Sequence, residues 1–355
     1  MEKLKAVLSG VSEDTTVVVL PDFFLDRLIT LEKTQSEFTK TVAEIASRKG
    51  GSLDGVPQAD IRGGNAINVA SALATLGVKV TPIVCTSQLG RELLAHYLKP
   101  LGVDLSHVKV TGSASVTTAL ELRGQNGKVN VMLRDLGALA GFGPDDLSDS
   151  DYEAIRMADF VCVFNWAGTR DHGTELAQNV FEAVKAHGTG KTYFDSADPT
   201  PNCEKIPELV EKVLKGQQLD VLSLNENEAI MYAKYFKDCA VSENINQRID
   251  EFALESARFL AKQLPARIDL HATSFSATVT KQCETLVPAF KVNALRATGA
   301  GDAWDAGNIF AEANNLSDEC RLTLANAVSA LYLADPLGEH PTPRQLIEFL
   351  GTCWA

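Results

Sequence analysis

Three short segments carry residue types suited to chemistry. The first is Arg296-Ala297-Thr298-Gly299-Ala300-Gly301-Asp302-Ala303-Trp304-Asp305-Ala306-Gly307. Small residues at Gly299, Ala300 and Gly301 let the backbone turn tightly and aim consecutive N–H groups at one point. Residues 303–313 read as a helix, so those amides sit at its positive end. Such a turn binds an anion and can steady charge developing on a transferring phosphoryl group. Asp302 is placed to accept a hydroxyl proton as general base. The competing reading is a helix cap that offsets the dipole.

The second segment is Gly63-Gly64-Asn65-Ala66-Ile67-Asn68. A diglycine permits close approach to a ligand, and Asn65 and Asn68, three apart, share a helix face. Two amides suit hydroxyl recognition; equally, they could cap an Ala-rich helix that stops at Gly77. The third is Asn225-Glu226-Asn227-Glu228, where Asn225 and Glu228 could hold a magnesium ion through water or simply begin a solvated helix.

The elements that must position these segments alternate. Residues 16–20, 78–85, 160–164, 192–195 and 221–224 read as strands, with amphipathic stretches such as 175–187 and 207–214 between them. Nearly continuous apolar strands imply a mostly parallel sheet covered on both faces, so the fold class is α/β. Two segments break the rhythm. Residues 23–62 form a long polar insertion, and residues 110–134 alternate with a period of two around the turn signal Asn126-Gly127. An antiparallel flap beside the core is the simplest reading, either a lid over the site or a surface decoration. The Gly-Thr-Gly-Lys-Thr run at 188–192 lacks the first P-loop glycine and lies between a helix and a strand, the reverse of the P-loop order. No G-x-G-x-x-G follows the first strand, which argues against a dinucleotide site.

Of 355 residues, 45% are hydrophobic and 22% charged, enough for a large core. The formal charge of −13 disfavours nucleic acid as a partner. No run is long enough to span a membrane, and Met1-Glu2-Lys3-Leu4-Lys5 lacks a secretory core, so a cytoplasmic location is expected. Seven scattered cysteines with no C-x-x-C pair encode neither a disulfide framework nor a zinc site and read as buried thiols.

In order and spacing, these motifs resemble the ribokinase-like, PfkB-type carbohydrate kinases over essentially the whole chain. Gly63, Gly64, Asn65 and Asn68 match the family's amino-terminal signature; Gly299, Ala300, Gly301 and Asp302 match its carboxy-terminal one. The resemblance implies one kinase domain over residues 1–355, a three-layer sandwich with a small β lid built from about 23–62 and 110–134. It implies phosphoryl transfer from a nucleotide, ATP favoured, to a hydroxyl of a sugar-like molecule, with Asp302 as base and the 299–301 amides as anion hole. Asn225 and Glu228 would organise Mg²⁺ and phosphate, Thr298 and Asn326 would contact the nucleotide, and Asp26 (with Asp22 as competitor) would contact substrate hydroxyls. Many such kinases dimerise through the lid, so a homodimer is a further expectation. Departures include Arg296-Ala297 where the family has Asp-Thr, Cys85-Thr86-Ser87-Gln88-Leu89-Gly90 where a glycine and aspartate are usual, and Leu270-His271-Ala272-Thr273-Ser274-Phe275 where a glycine-rich turn is usual. The last leaves ADP or another nucleotide open as donor. Arg296 either reads a phosphate already on the substrate or forms an ion pair, the favoured reading. Arg134 is a second cation for an anionic substrate, and Asn165 and Trp166 line the pocket or belong to the core. Sugars, sugar phosphates, cyclitols and nucleosides all remain open as acceptors, as does a non-catalytic sugar- or nucleotide-sensing protein on the same fold.

Overall fold

A computed structural model describes residues 2–10, 15–124, 127–237, 248–296 and 298–353. Fourteen strands are seen among them: β1 (Thr16–Leu20), β2 (Phe24–Thr34), β3 (Gln58–Gly63), β4 (Lys79–Pro82), β5 (Cys85–Thr86), β6 (Lys109–Val110), β7 (Ser115–Gly124), β8 (Gly127–Asp135), β9 (Phe160–Phe164), β10 (Lys191–Asp195), β11 (Val221–Leu224), β12 (Arg267–His271), β13 (Phe275–Val279) and β14 (Glu284–Pro288). Eight of them form the main sheet in the order β14-β13-β12-β11-β10-β9-β1-β4. Pairing is parallel from β4 through β12, and the hairpin β13–β14 adds two antiparallel strands at one edge.

Residue alternation shows why the inner strands are apolar throughout. Val18, Leu20, Val161 and Val163 enter one apolar cluster with the helices Gly173–His187, Glu226–Lys237 and Ile249–Gln263. Val17, Val19, Phe160, Cys162 and Phe164 enter another with the helices Asn65–Thr75, Ala300–Ala313 and Asp318–Ala334. Helices thus cover both sheet faces, making three layers. The β1–β4 edge of the sheet carries a Pro at position 82, tolerated because an edge strand need not donate every N–H.

The two segments that interrupt the alternation meet in a second sheet, ordered β3-β2-β7-β8, with β2 and β7 parallel. The stretch expected as a polar insertion is more regular than its composition implies. It contains β2, the helix Gln35–Ser47 started by a reciprocal Thr34–Glu37 cap, and β3. Its first residues, Phe23 and Phe24, are core. Gln125 and Asn126 of the anticipated turn lie outside the described residues, but the flanking strands pair as a hairpin closed by Gly124 and Gly127.

Three local expectations are corrected. The strand read over 78–85 is two strands, because after Pro82 the chain leaves the main sheet and β5 pairs with β6 instead. The helix read over 207–214 is α-helical only over Ile206–Leu209 and then widens to a π-turn, with the Lys215 amide donating to the Val210 carbonyl at 3.0 Å. Cys203 and Cys283 are exposed rather than buried.

The helix carrying Asp302 is anchored by a buried ionic cluster. Asp269 on β12 accepts from Arg321 at 2.9 Å, Arg267 at 2.8 Å and Asn308 at 2.9 Å. Burial alone would raise the Asp269 carboxyl, yet Arg267 and Arg321 overcome it and hold it well below the ordinary range. A carboxyl with a depressed pKa stabilises the fold above its unfolded value near 4 and loses that stabilisation as pH falls. Arg321→Met is expected to cost about 3 kcal/mol, the low end for breaking a buried pair because Arg267 remains. Urea unfolding of wild type and variant from pH 7 down to pH 3 should show the gap narrowing at low pH.

Candidate active site

Two helix starts meet over the carboxyl ends of the parallel strands. The first follows Gly64, whose φ of +92° is open to glycine, and a Cβ there would sit 2.9 Å from the Asp22 carbonyl oxygen. Asp22 lies just beyond β1 and accepts from the backbone N–H of Asn65 at 2.9 Å and of Ala66 at 2.8 Å. Asn165 adds a third donor at 2.7 Å. Asp22 is therefore the cap of the Asn65–Thr75 helix, fully buried and with all its acceptor work spent inside the protein.

The second start is the 299–302 turn. Gly299 has φ +81°, and a Cβ on it would lie 2.5 Å from the Tyr332 hydroxyl. The helix Ala300–Ala313 begins there, so its first amides have no partner within the helix and face the positive end of its dipole. Asp302 sits in that first turn. Asn65 donates to its Oδ1 at 2.7 Å and Asn68 to its Oδ2 at 2.8 Å. The two side-chain amides thus grip this carboxylate, one on each oxygen. Asp302 is 6% exposed. Burial, helped by the nearby charges of Asp195 and Asp22, pushes its pKa up to about 7 against the opposing Asn68 and Asn65 bonds. A carboxylate near neutrality is matched to take a hydroxyl proton at physiological pH.

Asp26 is placed differently from Asp22. It lies on β2 opposite Ile61, half-buried, and its Oδ1 has no partner. Gly63 is so close that a Cβ there would fall 2.1 Å from the Asp26 carboxylate. Burial raises the Asp26 carboxyl despite its Thr117 bond and the Arg134 charge. Arg134, exposed on β8, lies 5.0 Å over the Phe24 ring.

Asn225 and Glu228 bond each other. The Asn225 amides donate to Glu228 at 2.9 and 2.7 Å, and the Glu228 N–H returns a bond to Asn225 Oδ1 at 3.0 Å. Glu228 is buried, and that burial, followed by the charge of Asp195, raises it well above the ordinary range. Thr298 is exposed beside the turn, and Ala297 lies outside the described residues.

The sequence reading missed Asp195, His271 and Asp305, whose ligating atoms lie within 4.8 Å of one another. Asp195 and His271 end β10 and β12, and Asp305 is one turn beyond Asp302. His271 Nε2 and Asp305 Oδ2 are buried without hydrogen-bond partners, and His271 Nε2 lies 3.8 Å from Asp195 Oδ2. An aspartate closing an apolar parallel strand was the available signal, since ligands of such sheets bind at the carboxyl ends.

The structure also places Trp166, Asn326 and Arg296. Trp166 is a core residue whose indole donates to Thr174 at 3.0 Å. Asn326 is buried between Trp304, which donates to its Oδ1 at 2.9 Å, and the Pro288 carbonyl, to which its Nδ2 donates at 3.1 Å. Arg296 forms no ion pair among the described residues and donates to the Asp335 carbonyl at 3.0 Å.

A mostly parallel sheet covered on both faces, a smaller sheet beside it and a buried aspartate on a glycine turn define a ribokinase-like kinase. The chain belongs to the pfkB family carbohydrate kinases, whose model matches residues 58–344, and it is a sugar kinase of that family. A 5-dehydro-2-deoxygluconokinase of Geobacillus kaustophilus (strain HTA426) is 28% identical over 262 residues, covering 71% of this chain and 73% of that one. An Arabidopsis thaliana ribokinase complexed with ribose and ATP shares the fold at TM-score 0.69 and 20% identity, over 95% of this chain and 98% of that one. Adenosine kinase from Sinorhizobium meliloti does so at TM-score 0.69 and 17% identity, over 97% and 100%.

Because the Asn68 amide stabilises the ionised form of Asp302, Asn68→Ala is expected to raise the Asp302 pKa further. Activity that needs the ionised base rises as pH increases through that value. The acid limb of kcat/KM against pH should therefore lie near pH 7 in the wild type and move upward in the variant.

Proposed function

We propose that the chain transfers the terminal phosphoryl group of ATP to a hydroxyl of a sugar-like acceptor, with a sugar acid the favoured class. The carrying observation is Asp302, buried, gripped by Asn65 and Asn68 and poised to titrate at about 7 beside the Gly299-Ala300-Gly301 amides. The acceptor hydroxyl donates to Asp302, its proton passes to the carboxylate, and its oxygen attacks phosphorus as the bond to the nucleotide breaks. The 299–301 amides hold the phosphoryl oxygens in that turn. Asp26, with its unpartnered oxygen beside Gly63, would take acceptor hydroxyls. Thr298, exposed at the turn, would meet the nucleotide.

Asn225 and Glu228 fit a magnesium ion only through its water, because each of their side-chain oxygens already accepts a protein hydrogen bond. Asp195, next to Glu228 electrostatically, would share that hydrated ion. When bound, Mg²⁺ supplies charge neutralisation of the phosphates. The favoured acceptor class draws on the relative named 5-dehydro-2-deoxygluconokinase and on the exposed Arg134 guanidinium at Phe24. The small sheet would act as the lid, and a cytoplasmic location is the working assumption. Among the described residues no helix is long and apolar enough to cross a membrane.

The test is nucleotide consumption with Mg²⁺, pairing ATP and ADP with sugars, sugar acids, sugar phosphates, cyclitols and nucleosides. Turnover with ATP and an acidic sugar is the expected result; ligand binding without turnover across the panel would instead indicate a sensor. Asp302→Asn should lower kcat by about 10²–10⁴-fold while calorimetric ligand affinity stays close to wild type. Retained turnover would remove Asp302 as the base.

Val129, Val131 and Leu133 are exposed on β8, the last strand of the small sheet. An apolar edge strand invites pairing with a second copy. Val131→Lys with Leu133→Lys is expected to convert a dimer to a monomer in sedimentation velocity. A wild type that sediments as a monomer would rule out this contact.

A further inference from the structure

Three side chains from distant parts of the chain converge on the loop after the Asp318–Ala334 helix. Arg62, in β3 of the small sheet, donates to the Gly338 carbonyl at 3.4 Å. Arg296, ahead of the glycine turn, donates to the Asp335 carbonyl at 3.0 Å, and a Cβ on Gly338 would lie 2.1 Å from its Nη1. His340 stacks on Tyr332 with ring centroids 4.7 Å apart, and the Arg296 guanidinium lies 5.4 Å from the centre of the same tyrosine ring.

This nest holds two guanidiniums that form no ion pair among the described residues. Neither arginine has a carboxylate partner among the described residues. The Asp335 carboxylate is spent on the amides of Leu337 at 2.8 Å and Glu339 at 3.0 Å, leaving only its carbonyl to Arg296. Hydrogen-bonding capacity is left over as well. Nε of Arg62, Nε of Arg296 and both ring nitrogens of His340 are buried without a partner, and His340 is only 5% exposed. Burial, then the charges of Arg62 and Arg296, hold the imidazole well below its ordinary value, so it is neutral there. Neighbouring guanidiniums without an ion-pair partner are unfavourable, and the loop's own acids, Asp335 and Glu339, pair with neither arginine among the described residues. A phosphate or carboxylate would accept the unspent N–H groups and match the planar arginine fork.

We propose that Arg62, Arg296 and His340 form a second anion site, separate from the Gly299–Asp302 turn, that takes a phosphate or carboxylate group. The group is carried by the acceptor or is a free anion; only the acceptor-borne case rests on the kinase mechanism proposed above. Because Arg62 belongs to the small sheet and Arg296 to the core, the bound anion joins the two.

The test reads His340 directly by NMR of histidine-labelled full-length protein, in which six histidines must be resolved and His340→Gln assigns the signal. A non-hydrolysable ATP analogue with Mg²⁺ fills the glycine turn, and inorganic phosphate or D-gluconate is then titrated. The expected result is a saturable shift of the His340 resonance, weakened at least tenfold in Arg62→Gln and in Arg296→Gln. An unmoved His340 signal, or a shift that persists unchanged in both variants, overturns the site. Arg62→Lys keeps the charge but not the fork and should weaken binding less than Arg62→Gln, which separates anion recognition from misfolding. Loss of kcat/KM for D-gluconate but not for ribose in Arg296→Gln assigns the anion to the acceptor. A phosphate-dependent rate on ribose assigns it to a free effector. Failure of catalysis altogether leaves the NMR result standing, so the two readings fail separately.

Discussion

Everything at the site depends on holding one carboxylate out of water without forcing it to stay protonated. Asp302 is buried, and burial among other acids raises its pKa from 3.8 to about 7, a difference on the order of 4 kcal/mol between its two forms. The two asparagine amides keep the ionised form within reach. They can do so only if helices that begin 235 residues apart, at Asn65 and Ala300, point their first turns at each other. The parallel sheet makes this possible, since its right-handed crossovers deliver chain after chain to the same carboxyl edge.

The supports of that arrangement are themselves polar and buried. Asp22 fixes the first helix through the Asn65 and Ala66 amides, and Asn165 fixes Asp22. The second helix is tied to β12 by Asn308 and to the Asp318–Ala334 helix by Arg321, both through Asp269. Each group is costly to bury alone and tolerable only in its network, so the scaffold has little freedom to drift.

Acids crowd this edge: Asp22, Asp195, Glu228, Asp302 and Asp305 are all buried there. Their mutual repulsion lifts Asp302, Glu228 and Asp305 above their ordinary range, after burial itself. A hydrated cation would ease that crowding from one side. The unpaired arginines at Arg62 and Arg296 present the opposite imbalance at the rear of the same turn, linked to it through Tyr332.

Local pattern alone determined a good deal. Apolar runs marked the parallel strands because both sheet faces are covered, and glycines at 64 and 299 marked turns that a side chain would block. The aspartate after Gly301 was legible as a base or a cap because a helix start confers either role. What periodicity could not decide was which polar groups meet across the fold. Asn65 and Asn68 were legible as amides on one helix face, but their grip on Asp302 came only from tertiary packing. Asp22 and Asp26 are four residues apart on one apolar stretch, and only pairing of β2 with β3 put one in a helix cap and left the other beside Gly63 with a free oxygen. Trp166 was a pocket-or-core ambiguity, settled by burial and by its bond to Thr174 on the following helix. Asp195, His271 and Asp305 carry no shared motif, since each comes from a different strand or helix. Sequence specifies local backbone preference and burial; the long-range contacts among hydrogen-bonding groups exist only once the sheet has ordered its strands.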